Sequence, residues 1–576
     1  MMMSATTDVS SRDGGGGSTS PGSNGSGYSS QPESVRETFE SIIVALILAF
    51  VFRAFIVEAF VIPTGSMAPT LYGAHGTILC EDCGVEFAYG VRDLDDPRRS
   101  QNVLATSKAI CPNCNHANTR LKVNDASRTA ETGDRILVLK WPLDTGIASL
   151  GPHRWDVTVF KDPADGKTNF IKRLAGLPNE VLMILDGDVY TVPTSELTVE
   201  TLATLDRLRE EKYQLRSKKK RGRLSPPPAS VFQELDKKLR IARKTPAAQS
   251  SLWFPVYDHD YPPKKLDPNQ PRWEPGIKQG SGWDASKRRV VFQDNGVQDD
   301  FITLTRKEIR ASCSYNIYAR RGPFVSDLRV SFVVTPGSDK GSVGVWLAKH
   351  GRVFRADVDM NGLVSIRENE KTKQVDSPIL LTGHIDPIAS GEPVEVSFEN
   401  VDYRLSLRVA GKEVLASSTD PQSPNYYGPD IGHLRRTPVS LATRSPRVYA
   451  EGGDFVVTHL LVERDEHYYD DSARRIAGFG PVEGWGGSNN PILLRDEEYF
   501  MLGDNTAASK DSRLWDVVGR HLKGRGDSFQ LGTVPGDQLI GRAFFVYWPS
   551  GYRINWLPWI RNYGVIPDVG RMRWIR

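Results

Sequence analysis

The sequence predicts a mainly β protein with one apolar helix near its N-terminus and two inserted modules. Three observations lead there. Short segments alternating apolar and polar residues between Gly, Asn and Asp turns fill most of the chain. A single apolar run stands near the start, from Phe39 to Pro63. Two CxxC pairs interrupt the first β segment. At 576 residues the chain exceeds one core, so several folded units are expected. Lys+Arg 73 against Asp+Glu 70 leaves a net charge of +3, which excludes the clustered basic excess of wholesale nucleic-acid binding.

Residues 1–37, including "SSRDGGGGSTSPGSNGSGYSSQPES", hold little to bury and read as a flexible tail. A cleavable leader is not expected, because a basic n-region and a cleavage site after the apolar run are both missing. Residues 38–60 read as a transmembrane anchor. The uninterrupted apolar part, Ser41 to Phe52, is short of the roughly 20 residues a span needs, and alone it fits a buried core helix equally well. The run continues apolar past Arg53 and Glu58, Arg53 can snorkel, and the tail offers no surface to cover a core helix. Charge does not set its orientation, since Arg36 is flanked by Glu33, Glu37 and Glu40.

Residues 61–195 and 490–550 form the first β domain. "GDRILVLK" enters a strand from a turn, "DVTVFKDP" and "TNFIKRLAGLPNE" pair across Asp165-Gly166, and "EVLMILDGDVYTV" turns at Asp186-Gly187. "EEYFMLGDNTAASKDSRLWDVVGR" and "LIGRAFFVYWP" resume that style after a long interruption. Within the first part, residues 78–118 carry Cys80, Cys83, Cys111 and Cys114. Two CxxC knuckles at this distance predict a structural zinc ribbon, each turn aiming two thiolates at one ion. The fifth cysteine, Cys313, reads as a small buried apolar side chain.

Residues 196–289 read as a linker with helical, basic and Pro-rich stretches; the run Lys218 to Arg223 is a solvated linker or an anionic-lipid contact. Residues 290–465 alternate in the manner of a β-sandwich. Residues 551–576 form an aromatic tail, in which Trp556 and Trp559 suit a membrane interface, whereas Tyr547 and Trp548 before it suit ordinary core packing.

The chemistry centres on "VIPTGSMAP". A serine hydroxyl attacks an amide only when a base takes its proton. No histidine stands in a triad-like setting, there is no GxSxG elbow, and Ser66 followed by "MAP" is not an SxxK motif. Lysine remains, provided desolvation lowers its pKa. Lys172 lies among Phe170, Ile171 and Leu174, although a strand lysine taken by itself is ordinarily solvated.

In combination, "PTGSMAPTL", "GDRILVLK", "NFIKRLAGLPNE" and "GDNTAASKDSR", in that order after an apolar run, closely resemble the bacterial type I signal peptidase (leader peptidase) family. The resemblance spans roughly residues 37–190 and 497–550. It implies a signal-peptidase-type β catalytic domain with Ser66 as nucleophile and Lys172 as general base. Thr64 stands where the family often has a serine lending its hydroxyl to the oxyanion hole, Ser509 resembles the serine that orients the lysine, and Asp504, Asp511 and Arg513 match a structural polar set. Met67 and Pro69 are candidates for shallow pockets that accept small residues. The resemblance further implies signal-peptide-bearing preproteins as substrates, the lipid bilayer as a partner, no cofactor for catalysis, and a single-pass protein of the cell membrane with its catalytic domain outside the cytoplasm. A disulfide is open to the cysteines there, but zinc is preferred because a CxxC disulfide is strained. The 290–465 segment loosely resembles the concanavalin-like jelly rolls, which makes a glycan a candidate partner. Two rival functions follow: a membrane-tethered glycan- or protein-binding module on an inactive peptidase scaffold, and a self-cleaving Ser–Lys protein, for which no internal scissile site is evident.

Overall fold

The computed structural model describes residues 31–90, 109–119, 133–140, 151–217, 226–264, 272–277, 279–305, 309–315, 322–368, 380–436, 445–469, 475–476, 480–481, 484–515, 517–525, 529–550, 552–553 and 564–575. Most of the expected tail, residues 1–30, lies outside them, as do the basic run Lys218 to Arg223, Trp556 and Trp559.

A helix runs from Gln31 to Phe55 and forms a unit separate from Ile56–Arg576. It begins inside the segment expected as tail, where Arg36 and Glu40 pair across one turn at 2.8 Å. It ends before the expected anchor does. Residues 57–60, the end of the expected anchor, lie instead in a strand, Val57–Val61, paired antiparallel with Arg135–Leu139, Val57 opposite Leu139 and Val61 opposite Arg135. Val57, Phe60 and Val61 are β-branched or aromatic and suit a pleated sheet as well as they suit a greasy helix, and the partner strand decides. Among the described residues, no helix is long and apolar enough to cross a membrane.

The two flanks of the first β domain meet in one antiparallel sheet. Its described strands run in the order Val57–Val61, Arg135–Leu139, Leu539–Trp548, Val157–Lys161, Asn169–Gly176, Glu498–Leu502 and Val534–Pro535, with Arg573–Trp574 added to Leu539–Trp548. A second sheet orders Arg240–Ile241, Asp188–Pro193, Glu180–Leu185 and Ile492–Leu494. The hairpin between its middle strands turns where expected, with Asp186 at φ 48° and Gly187 at φ 90°, the left-handed pair a two-residue loop requires.

The long interruption folds into two further antiparallel sheets that share one apolar core, with Val330, Phe332 and Val334 meeting Val343, Val345 and Phe354. These sheets begin earlier than residue 290. Phe254–Asp258 pairs with Phe455–Arg464, and Trp273–Pro275 pairs with Asp300–Leu304. The segment expected as a linker is therefore largely built into the fold. Its helices Val199–Ser217 and Ala229–Lys238 bury Leu205, Val231, Phe232 and Leu235, and Arg209 grips Glu498 through two hydrogen bonds of 2.7 and 2.8 Å. The C-terminal segment is likewise more than a tail. Ile575 is buried, and Arg573 donates to the Thr70 carbonyl at 2.6 Å.

A buried charge cluster joins the insertion to the second sheet. Asp188, Asp327, Asp402 and Asp465 converge closely enough to hold an ion, but two ammonium groups already lie among them. Lys349 bonds Asp188 and Asp327, and Lys244 bonds Asp402 and Asp465 at 2.7 Å each. Burial works to lower both lysines, yet the paired carboxylates outweigh it and hold each well above its ordinary value.

Candidate active site

Ser66 sits where the chain leaves its edge strand. Ile62 continues the ladder by donating to Asp134 O at 2.9 Å, Thr64 is extended, and Gly65–Met67 closes one 3₁₀ turn sealed by Ala68 N–H to Gly65 O at 3.1 Å. Met67, Ala68 and Leu71 are fully buried and pin the turn from below. Met67 thus packs in the core with Ile62 and Leu71 rather than lining an open pocket, and Pro69 beside it is half-buried. From the other flank, Asn505 donates its side-chain N–H to Gly65 O at 2.8 Å and its backbone N–H to Ser66 O at 3.1 Å. Those two bonds fix the carbonyls on either side of the serine.

Lys172 approaches from the Asn169–Gly176 strand, with Thr158 opposite it in the neighbouring strand. Its side chain is buried, with Nζ 2.7 Å from Ser66 Oγ and 2.7 Å from the Ile171 carbonyl it donates to. Phe170 lies with its ring centroid 5.5 Å away. Burial lowers the Lys172 pKa to about 8, while Asp511, Asp504 and Asp162 act from a distance in the opposite sense. The contrast with Lys244 and Lys349 is direct. All three ammonium groups are buried, but the other two each contact two carboxylates, and Lys172 has none in ion-pair reach among the described residues. A neutral amine has two N–H groups and one lone pair, so it can donate to Ile171 O and accept the Ser66 hydroxyl proton.

Two of these carboxylates, Asp504 and Asp511, are held by arginines. Arg173, next to the lysine, grips Asp504 through Nε at 2.8 Å and Nη2 at 2.6 Å, both side chains fully buried. Arg513 does the same to Asp511 at 2.8 and 2.6 Å, and Asp511 also accepts the Gly503 N–H at 2.9 Å. Burial raises Asp511, but Arg513 overcomes it and leaves the carboxyl below its usual range. Gly503 has no room for a side chain: a Cβ there would lie 2.2 Å from Ser509 Oγ and 2.6 Å from Ser66 O.

Of the residues predicted from sequence, Ser66 and Lys172 are brought into direct contact, and Asp504, Asp511 and Arg513 form the surrounding pairs. Ser509 is buried beside Gly503, where it favours the charged form of Asp511, but its Oγ makes no hydrogen bond of regular geometry and does not bond Lys172. Thr64 is exposed two residues before Ser66, and its side chain makes no capping bond. Sequence reasoning missed Arg173, Asn505 and Glu466. Glu466 comes from the end of the insertion, is pushed up to about 7 by burial, and accepts the Thr506 N–H at 3.4 Å. Only the adjacent basic pair "KR" in a buried strand hinted at Arg173.

The four cysteines converge as well. Cys80 and Cys114 lie 3.5 Å apart at sulfur, Cys83 and Cys111 3.6 Å, and none is in a disulfide. Each knuckle closes alike: Gly84 N–H bonds Cys80 O and Asn115 N–H bonds Cys111 O at 3.0 Å, with Gly84 and Asn115 left-handed at φ 79° and 62°. A tetrahedral ZnS₄ site with Zn–S bonds near 2.3 Å has sulfurs about 3.8 Å apart, so this donor set fits the ion.

The family model described as signal peptidase, peptidase S26, matches residues 103–235 and 446–548. Relatives include a probable signal peptidase I-2 of Synechocystis, 28% identical over 28% of this chain and 61% of that protein. A signal peptidase I of Pseudomonas fluorescens is 31% identical over 25% of this chain and 32% of that protein. The chain thus spans less than two thirds of the length of these relatives. Among solved structures, the carbohydrate-binding module CBM66 from Bacillus subtilis aligns with 33% of this chain and 95% of its own at 14% identity and a TM-score of 0.22, too slight a likeness to bear on ligands.

Asp504→Ala would leave Arg173 buried without its carboxylate, and removing one partner of such a pair costs about 3–5 kcal/mol. The expected outcome is a clear drop in the chemical-denaturation midpoint; an unchanged midpoint contradicts the assigned role.

Proposed function

We propose that this chain is a serine endopeptidase of the signal peptidase family, peptidase S26, that removes signal peptides from exported preproteins, cutting after small residues. The observation that carries the reading is the 2.7 Å contact between Ser66 Oγ and a buried Lys172 that has no carboxylate in ion-pair reach among the described residues. Lys172 takes the hydroxyl proton as Oγ bonds to the scissile carbonyl carbon. The resulting oxyanion is met by the Ser66 backbone N–H and the Thr64 hydroxyl. The lysine ammonium then gives its proton to the departing amine. In the second half a water molecule loses a proton to Lys172, attacks the acyl ester, and returns Ser66 to its hydroxyl form.

Membrane attachment belongs to the same reading. Supporting it, the Gln31–Phe55 helix exposes Ile42, Ile43, Val44, Leu46, Ile47 and Leu48, an apolar surface on all sides of the helix. The proposed site is the cell membrane, with Ser66 on the extracytoplasmic side. Tethering the nucleophile beside the bilayer would confine enzyme and preprotein to two dimensions and raise their effective concentration. Cys80, Cys83, Cys111 and Cys114 would hold zinc, which would cross-link the two knuckles with no open coordination position.

Ser66→Ala and Lys172→Ala are each expected to cut cleavage of a membrane-embedded preprotein by roughly 10³-fold or more with the far-UV circular dichroism spectrum unchanged. Normal turnover by either variant refutes the assignment. Metal analysis is expected to find about one zinc per chain, lost in Cys80→Ser and Cys111→Ser. Metal-free protein with its thiols paired overturns that part.

A further inference from the structure

The nucleophile turn is also braced by the insertion. Residues 309–315 leave the inserted sheets under restraint: Ala311 N–H bonds Pro323 O at 2.9 Å, Tyr469 OH bonds Ala311 O at 2.6 Å, and Arg464 donates to Ser312 O at 2.9 Å. Tyr315 in this segment has a buried side chain, and its hydroxyl donates to Ala74 O at 2.6 Å. Its ring stacks on Tyr72 with centroids 5.9 Å apart. Its carbonyl accepts the Gly90 N–H at 3.1 Å, and Ser314 Oγ donates to Ala88 O at 3.1 Å, so the cysteine-bearing hairpin holds it from the far side.

The ring ends against Gly65. A Cβ built on Gly65 would lie 1.8 Å from Tyr315 Cε1, closer than any side chain can be accommodated without movement. Gly65 is not in the left-handed region, so its backbone conformation does not require glycine. The tyrosine ring does. Asn505 holds the Gly65 and Ser66 carbonyls, and the Tyr315 ring occupies the space a Gly65 side chain would take.

We propose that Tyr315, supplied by the insertion, is a positioning residue that sets the Gly65–Ser66 turn for attack. The inference rests on the peptidase reading above. It gives part of the insertion a task in the chemistry: a serine displaced by about 1 Å loses on the order of 10²-fold in rate.

The test uses the full chain with Tyr315→Phe, Tyr315→Ala, Gly65→Ala and the double variant Gly65→Ala/Tyr315→Ala. Tyr315→Phe loses one hydrogen bond and keeps the ring, so kcat is expected within about 5-fold of the unaltered protein. Tyr315→Ala and Gly65→Ala are each expected to lower kcat by roughly 30-fold with KM nearly unchanged. The double variant is expected to recover at least about half of the Gly65→Ala loss on a logarithmic scale, because the added methyl then enters the space the ring vacated. Amide hydrogen exchange across residues 65–74 should quicken by about 10-fold in Tyr315→Ala, with the Asn169–Gly176 strand unchanged. Unchanged exchange in Tyr315→Ala, a loss confined to KM, or a double variant no better than Gly65→Ala overturns the proposal. If the unaltered protein cleaves no preprotein, the peptidase reading fails, and the exchange measurement still decides whether Tyr315 holds the turn.

Discussion

The candidate site depends on one buried lysine that has no carboxylate in ion-pair reach among the described residues. Lys172 is buried beside a hydroxyl, and Asp504 and Asp511, two of the carboxylates that act on it from a distance, are committed to Arg173 and Arg513. A lysine in water titrates near ~10.4, and a value of about 8 corresponds to about 3 kcal/mol of added preference for the neutral amine. The same protein contains the opposite case. Lys244 and Lys349 are equally buried, but each contacts two aspartates and is held in its charged form. Burial alone therefore does not favour the neutral amine; burial with no carboxylate in ion-pair reach among the described residues does.

Holding that arrangement requires parts far apart in the chain. Ser66 and Lys172 are separated by 106 residues, and Arg173 and Asp504 by 331. Asn505 reaches the serine turn across 440 positions. The insertion lies between these segments in sequence, so its own folding must return the chain to the sheet. It does so with a large apolar core and the four-aspartate, two-lysine junction. It also contributes groups beside the site: Glu466 at Thr506, Ser251 near Arg173, and Tyr315 at Gly65.

Much of this was legible in the chain. The Asp186-Gly187 turn, the strands around Lys172 and the paired cysteine knuckles follow from local rules of turn chemistry, alternation and ligand spacing. The Ser66–Lys172 pairing came from the resemblance of ordered motif blocks, since a lone "IKR" is indistinguishable from a solvated strand. What escaped depends on tertiary partners. Val57–Val61 and the helix before it share one greasy composition, and only pairing with Arg135–Leu139 separates strand from helix. The 196–289 segment looked like a linker because its charged residues gave no sign that Arg209 meets Glu498 in the interior. Arg173 was hidden beside Lys172 because its counter-ion lies on the far side of the insertion.

The most direct measurement is the titration of the Lys172 side chain itself, followed by carbon-13 NMR on lysine-labelled protein with Lys172→Arg to assign the signal. The account requires a midpoint of about 8, with the amine neutral above it and protonated below it, so that the base is lost as pH falls through that value. A midpoint near the solution value of ~10.4 would leave almost no neutral amine even at about pH 8 and contradict the account.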